Sequence, residues 1–335
     1  MSLIQTITDH VRESLGHQVR LRRVLGERPE LKASVLAPEN NIDMDRVPRW
    51  HQMGTSPGLL SLAGGRTSGA ELRGWRREGT QYRSFTESCP ALAELTTKST
   101  LNTWFCDLQD LHGFGNSKSD LKSLSSTDEM VEKNSREMIE DVSLAGLHAN
   151  LAHRDIRVTG ERAGTDYFVM HQWDGRMYLA NDGGSHHLAA AKYIAARIDA
   201  KVPLYARLHY YAVDRHAVGL LRSTYDTYLV KMDPNNAAPS NELFEALQSG
   251  GVTWLSHELP APYEGTRAVF LPRDNEVSMR ASQLFREAGF VDLGQHLQEV
   301  ANRPMPPLLL RQLGYQNDMA PDEEEGEGES SAPRA

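Results

Sequence analysis

Residues 181–191 read N-D-G-G-S-H-H-L-A-A-A. They lie between a segment with strand character and one with helix character. A chain that turns through glycines into a helix leaves several backbone N–H groups unpaired at one point. The helix dipole adds partial positive charge there, so the junction favours an anion. Gly183 and Gly184 permit positive φ and a close approach of backbone to a ligand oxygen. Ser185 offers a hydroxyl, and His186 and His187 offer imidazole N–H donors that charge at mildly acidic pH. These five residues form a candidate phosphate site, with His186 and Asp182 as candidate catalytic groups. Asp182 would repel a phosphate unless it holds Mg²⁺ or acts as a base. A plainer reading competes: a tight turn followed by an amphipathic helix capped by Ser185. Adjacent helix positions point in different directions, so one metal ion shared by His186 and His187 is disfavoured.

The elements that must position these residues follow from local pattern. Residues 165–172 read as a strand, 173–176 (W-D-G-R) as a tight turn and 176–182 as the returning strand. Residues 185–200 carry Leu188, Ala191, Ile194, Ala195 and Ile198 on one side, as a helix does. Residues 202–214 alternate, with Val202, Leu204, Ala206, Leu208, Tyr210 and Ala212 on one face, the mark of a strand. Upstream, 3–25 reads as a helix, 91–114 as a buried segment helical from Ser99, 115–126 as a loop, and 127–142 as a helix capped by Ser126 or Thr127. Residues 154–158 read as a short strand. No strands can be placed between residues 30 and 90. Downstream, a helix begins at Ser240. Strands follow around Trp254 and over 266–272, then two more helices.

The strand, D-G-G-S-H-H-L-A-A-A, helix and V-P-L-Y strand in succession resemble the ParB/sulfiredoxin-like superfamily. Its members carry Gly-x-x-Arg-x-x-Ala at this junction. Gly184, His187 and Ala190 occupy the three signature positions. Ser185 stands where sulfiredoxins have their catalytic cysteine, and His186 matches their histidine. The resemblance implies an α+β fold in which a mixed sheet forms a core flanked by helices. It also implies that the loop and helix start bind the phosphates of ATP, CTP or a related nucleotide, with Mg²⁺ as the accompanying cofactor. This chain departs from the pattern in two ways. His187 replaces the arginine that would fork a phosphate, and Ser185 replaces the cysteine, so sulfinic-acid repair is not expected. The likeness spans residues 150–215 of the 335, and fits a bacterial family that reuses this core among other elements. The domains expected are a helical and irregular region (1–140), an α/β core (141–316) and a disordered acidic tail (317–335).

Charge and composition narrow the partners. The net charge is −9, but residues 317–335 hold seven acids against Arg334, a net of −6, so the rest carries only −3. Such a body offers no basic field, and chromosome-partition DNA binding, like nucleic-acid binding in general, is disfavoured. The clearest local excess is +3 over residues 62–83, which include Arg66, Arg73, Arg76, Arg77 and Arg83. No apolar run approaches the ~18 residues of a membrane span, so no membrane contact is expected. The N-terminal residues lack the pattern of a signal peptide. With Cys89 and Cys106 as the only cysteines, no disulfide framework is expected and a reducing cytoplasm is the natural setting.

The expected function is a nucleotide- or phosphometabolite-binding protein, with phosphate hydrolysis or transfer as the attached chemistry. Two alternatives stand beside it. One is a degenerate, non-enzymatic module that binds a protein partner. The other is a metal-dependent hydrolase or nuclease built on Asp182 and the histidines. Lesser candidates are Asp107, Asp110 and His112, read at a helix C-terminus; His171 and His209 on strands; and Asp214, Arg215 and His216 at a strand end. Cys106, Trp173 and Trp254 read as core residues.

Overall fold

The computed structural model describes residues 18–36, 40–54, 71–160 and 164–310. The chain divides into two compact units, Met1–Arg303 and Pro304–Ala335. In the second, residues 304–310 are described, and 307–310 are helical. Expectations for residues 1–17, 62–70 and the acidic tail fall outside the described residues.

The first unit is an α+β protein. Its strands are β1 (Glu71–Glu78), β2 (Gln81–Ser88), β3 (Thr96–Asp107), β4 (Leu111–Phe114), β5 (Tyr167–His171), β6 (Met177–Ala180), β7 (Pro203–Val213), β8 (Tyr225–Lys231), β9 (Trp254–Glu258) and β10 (Thr266–Pro272). Its helices are α1 (Val19–Glu27), α2 (Pro90–Ala93), α3 (Thr127–Asn134), α4 (Leu144–Leu151), α5 (Ser185–Arg197), α6 (Arg215–Thr224), α7 (Ala238–Ser249), α8 (Glu276–Glu287) and α9 (Leu293–Ala301). The strands form two five-stranded sheets, ordered β2-β1-β9-β10-β8 and β3-β7-β5-β6-β4. The first is antiparallel throughout. The second is mixed: β3 runs antiparallel to β7 and β5 antiparallel to β6, while β7/β5 and β6/β4 are parallel.

Residue periodicity explains the layers. In β10, Ala268 and Phe270 face one way and Val269 and Leu271 the other, and all are buried. A strand covered on both faces reads as a continuous apolar run. On one face lie Leu21 and Leu25 of α1, Leu243 and Leu247 of α7, and Phe285 of α8. On the other lie Val218 and Leu221 of α6, Leu293 and Leu297 of α9, and Trp50, Trp173 and Tyr178. Helix α5 buries Leu188, Ala189, Ala190, Ala191, Ile194 and Ala195. Helices α3 and α4 pack against α5 in turn.

Several expectations need correction. Residues 96–107 form a strand, not a helix from Ser99. They carry β-branched threonines at 96, 97, 100 and 103, and ten of them pair with β7, so sheet partners decide the conformation. Asp107, Asp110 and His112 are accordingly not at a helix end. Asp107 and Asp110 make a capping box around the single turn Leu108–Asp110, and His112 lies on β4. Residues 154–158 are irregular; Val158 contributes one carbonyl to the amide of Tyr205. The region before residue 140 is not merely helical and irregular. Its β1 pairs with β9, β3 with β7 and β4 with β6, so residue 140 marks no domain boundary. Both cysteines are buried free thiols. Among the described residues, no helix is long and apolar enough to cross a membrane.

Candidate functional site

The junction before α5 is built by a side-chain clamp. Asn181 directly follows β6 and opens the turn at 182–183. Its amide nitrogen donates to the carbonyls of Asn116 (3.2 Å) and Gly183 (2.8 Å), and its oxygen accepts from the Asn116 amide at 3.4 Å. The loop 115–119 is thereby held against the start of the helix. Gly184 is the N-cap residue, with φ 75° and ψ 4°, and no side chain caps α5. Ser185 is therefore the first helical residue rather than the cap. Its hydroxyl donates to Ser117 Oγ at 3.0 Å instead. The first intrahelical bond runs from the Leu188 amide to the Gly184 carbonyl. Among the described residues, nothing accepts from the amides of Ser185, His186 and His187, so the anion-favouring end of α5 is unspent.

His186 and His187 leave the helix toward different neighbours. His186 shares hydrogen bonds with Ser119 Oγ through Nε2 (3.1 Å) and with Ser135 Oγ through Nδ1. Asn134 Nδ2 donates to the same Ser119 oxygen at 2.9 Å. Burial holds the His186 imidazole below its usual pKa, Lys118 adds to this and Glu137 opposes it. A neutral imidazole has one donor and one acceptor nitrogen, so one of the two serines donates to it. His187 Nδ1 lies 3.1 Å from Asn150 Oδ1. An amide oxygen only accepts, so this bond places the His187 proton on Nδ1. Asn150 is itself fixed by donating to the carbonyls of Met138 and Gly146. The His187 ring stacks on His153 with centroids 3.8 Å apart. Burial lowers its pKa first, followed by His153 and His186, with Asp155 opposing.

The acids sit elsewhere than the sequence suggested. Asp182 is largely exposed, and its carboxylate is 3.6 Å from Arg157 Nη1. Arg157 also approaches the buried Asp166 at 3.3 Å. Burial raises the Asp166 pKa, while the Asp182 amide and Arg157 lower it. A guanidinium thus occupies the place a cation bridging Asp166 and Asp182 would need, and this pair does not fit Mg²⁺. The carboxylate beside the glycines is Asp155. A Cβ on Gly183 would lie 3.2 Å from Asp155 Oδ2, and one on Gly184 would lie 3.0 Å from the Asp155 carbonyl oxygen. The two glycines therefore admit the 153–156 segment. Among the described residues, no group of three or more His, Cys, Asp or Glu is placed to hold a metal ion.

Of the residues singled out in the sequence, Gly183, Gly184, Ser185, His186 and His187 follow one another at the start of α5, but their side chains part: Ser185 meets Ser117, His186 meets Ser119 and Ser135, and His187 meets Asn150 and His153. The structure adds Ser117, Ser119, Ser135, Asn150, His153 and Asp155. None stands out in the sequence. The one available signal was the density of small polar residues in G-N-S-K-S-D (115–120), which read simply as a loop. Three of the remaining candidates have structural hydrogen-bond partners. His209 bonds Thr100 Oγ1, Asp214 caps α6, and His112 bonds the Asn41 carbonyl. Trp173 and Trp254 are buried.

An α+β protein with a Ser/His cluster at a helix start is the class that fold and site define. Residues 101–308 match the model of DUF6685, a family of unknown function, and the chain belongs to that family. No curated protein and no solved structure matches the chain. The matched span begins within β3 and contains every residue of the α5 cluster.

Proposed function

We propose that the protein binds a phosphate-bearing small molecule at the amino end of α5, and that His186 is the acid–base group of the site. The observation that carries this reading is His186 itself. Its ring bridges Ser119 and Ser135 beside the unspent amides of the helix. A neutral imidazole hydrogen-bonded to a half-buried hydroxyl is an arrangement suited to activating that hydroxyl or a water. The amides of Ser185, His186 and His187 would hold the phosphate oxygens. The Asp155 carboxylate excludes a second anion from the glycine side, so the ligand approaches from Ser119. The succession of strand, Gly-Gly turn, helix and strand supports including the ParB/sulfiredoxin-like likeness in the proposal, with a nucleotide as the first ligand class to try.

Calorimetric titration with ATP, ADP, CTP, GTP and inorganic phosphate tests this, on wild type, Ser119→Ala and His186→Gln. The expected result is millimolar or tighter binding of at least one of them, weakened about tenfold or more in both variants. Phosphate release from the bound nucleotide would then be assayed. Absence of binding, or binding indifferent to both substitutions in folded protein, overturns the reading. The cluster would then be a polar brace tying residues 115–135 to α5, as expected of a non-enzymatic interaction module.

A further inference from the structure

The alternation of β7 gives the mixed sheet a face of its own kind. Leu204, Ala206, Leu208 and Tyr210 point one way and are buried. Tyr205, Arg207, His209 and Tyr211 point the other way. Strand pairing extends this row across the sheet. Tyr167 of β5 lies opposite Arg207, and Thr100 and Lys98 of β3 lie opposite His209 and Tyr211. Contacts between the side chains follow the register. Tyr167 meets His209 edge-on with ring centroids 4.7 Å apart, and the Lys98 ammonium is 5.7 Å from the Tyr211 ring centroid.

One end of the row is covered. His51 stacks on Tyr211 at 4.3 Å, and His171 lies against the same ring at 5.4 Å. The other end is open. Tyr167 is 37 % exposed. Lys98, Thr100 and Arg207 are exposed, and Tyr205 is half-buried. Rings beside cations on an open sheet offer a surface on which a planar group can stack.

The charge on this face has one sign. Burial first, and then Lys98 and Arg207, hold the His209 ring below its usual pKa. Neither cation makes an ion pair among the described residues. The residues paired across the row from Tyr205 to Tyr211 include no acid. Beyond the row, opposite Pro203, lies Asp107, whose carboxylate accepts from the Gln109 amide at 2.8 Å. Lys98 and Arg207 are far apart in sequence, so no local count of charge along the chain brings them together.

We propose that this face binds single-stranded nucleic acid, with bases stacked on Tyr167 and Tyr205 and phosphates met by Arg207 and Lys98. Sheets with exposed rings take unpaired bases in this way, and nearby cations track the backbone. A duplex keeps its base faces stacked and cannot use the rings. A contact of two cations and two rings needs no broad basic field, so it is compatible with the low charge of the body. The site is separate from the α5 cluster and does not depend on it.

Fluorescence anisotropy tests this. The probes are labelled oligothymidylate and oligouridylate about twelve residues long, a duplex of equal length, and oligoglutamate. Wild type should bind at least one single strand with Kd below about 100 μM at low salt. The duplex and oligoglutamate should bind tenfold more weakly or worse. Two phosphate contacts give a slope of about −1.4 for log K against log salt, and Arg207→Gln should bring it to about −0.7. Tyr167→Ala should weaken binding about tenfold, while Tyr167→Phe keeps wild-type affinity. Both positions are exposed, so these variants should fold, which circular dichroism checks. Ser119→Ala should leave every titration unchanged, which keeps failure here distinct from failure at α5. Equal binding of duplex or oligoglutamate, affinity indifferent to Tyr167→Ala or Arg207→Gln, or no saturation by about 100 μM overturns the proposal.

Discussion

At Gly184 the backbone has φ 75°, and a Cβ would meet the Asp155 carbonyl oxygen at 3.0 Å. Both facts penalise any side chain. A non-glycine residue in the left-handed region costs on the order of 1–3 kcal/mol, and here the crowding atom is backbone and cannot turn aside. Gly184→Ala is therefore expected to destabilise the fold by about 2 kcal/mol, read as a lowered urea midpoint at unchanged slope. A loss below about 0.5 kcal/mol would mean the 153–156 segment gives way freely. The same geometry makes Gly184→Glu a poor probe of ligand binding, because it strains the turn before any ligand is considered. The glycine pair was legible in the sequence as a special turn. Its cause was not, because the crowding partner lies 29 positions earlier in a stretch that reads as a strand. The histidine pair was legible in the same limited way: the sequence showed two imidazoles at a helix start, but not that one finds two serines and the other an asparagine and a second ring.

The start of α3 was read correctly, because local chemistry alone decides it: Ser126 accepts from the Glu129 amide, although the helix expected to reach residue 142 ends at Asn134. Helix α6 was not read, since Asp214 was placed only at a strand end; its side chain accepts from the Ala217 amide. For α6, the Asp214 carboxylate accepts from the Ala217 amide at 2.8 Å at the positive end of the helix. Asp214→Ala should cost about 1 kcal/mol in thermal or urea unfolding, and Asp214→Ser should recover most of it. Equal stability of Asp214→Ala and wild type would show that the bond contributes nothing. The strands missed were those whose pattern depends on partners. In β8, Tyr225–Val230 are buried without a break, although the strand is last in its sheet. Isolated bridges from Lys32 to Val230 and from Asp292 to Tyr228 cover its free side. A strand closed on every side shows no period of two. In β1 and β2 the opposite holds. Most positions of this hairpin are exposed, so little apolar alternation exists to be read. Its two-residue turn at Gly79, with φ 63°, was the one signal in place. The mixed sheet, by contrast, was partly legible through β7, whose alternating residues do bury one face.

Across the whole molecule, burial holds many histidines neutral, and this sets how stability responds to acid. His171 is pushed down to about 3 and His51 to about 4, in both cases by burial first. The same cause lowers His112, His186, His187, His209, His257 and His296. In the unfolded chain each takes up a proton near pH 6.5. Below that pH the unfolded state binds protons that the folded state refuses, so folding stability is full above about pH 6.5 and falls as the pH drops toward the folded values. Asp43 and Asp166, raised by burial, act in the opposite sense only near the acid end of this window. His171 isolates one contribution. It is 3 % exposed, neither ring nitrogen has a hydrogen-bond partner among the described residues, and it lies against the rings of His51, Trp173 and Tyr211. Each pH unit between 6 and 4 should cost about 1.4 kcal/mol through this residue alone. His171→Phe removes the proton site and two unsatisfied polar atoms from an aromatic setting. It should leave stability at pH 7.5 unchanged or higher, and should flatten the decline between pH 6 and 4 by that amount per unit. Urea unfolding at pH 7.5, 6.5, 5.5 and 4.5 for both proteins decides the matter. Parallel curves would show that the His171 ring is protonated in the folded state as readily as in the unfolded one, which its burial among rings makes incompatible with the packing described.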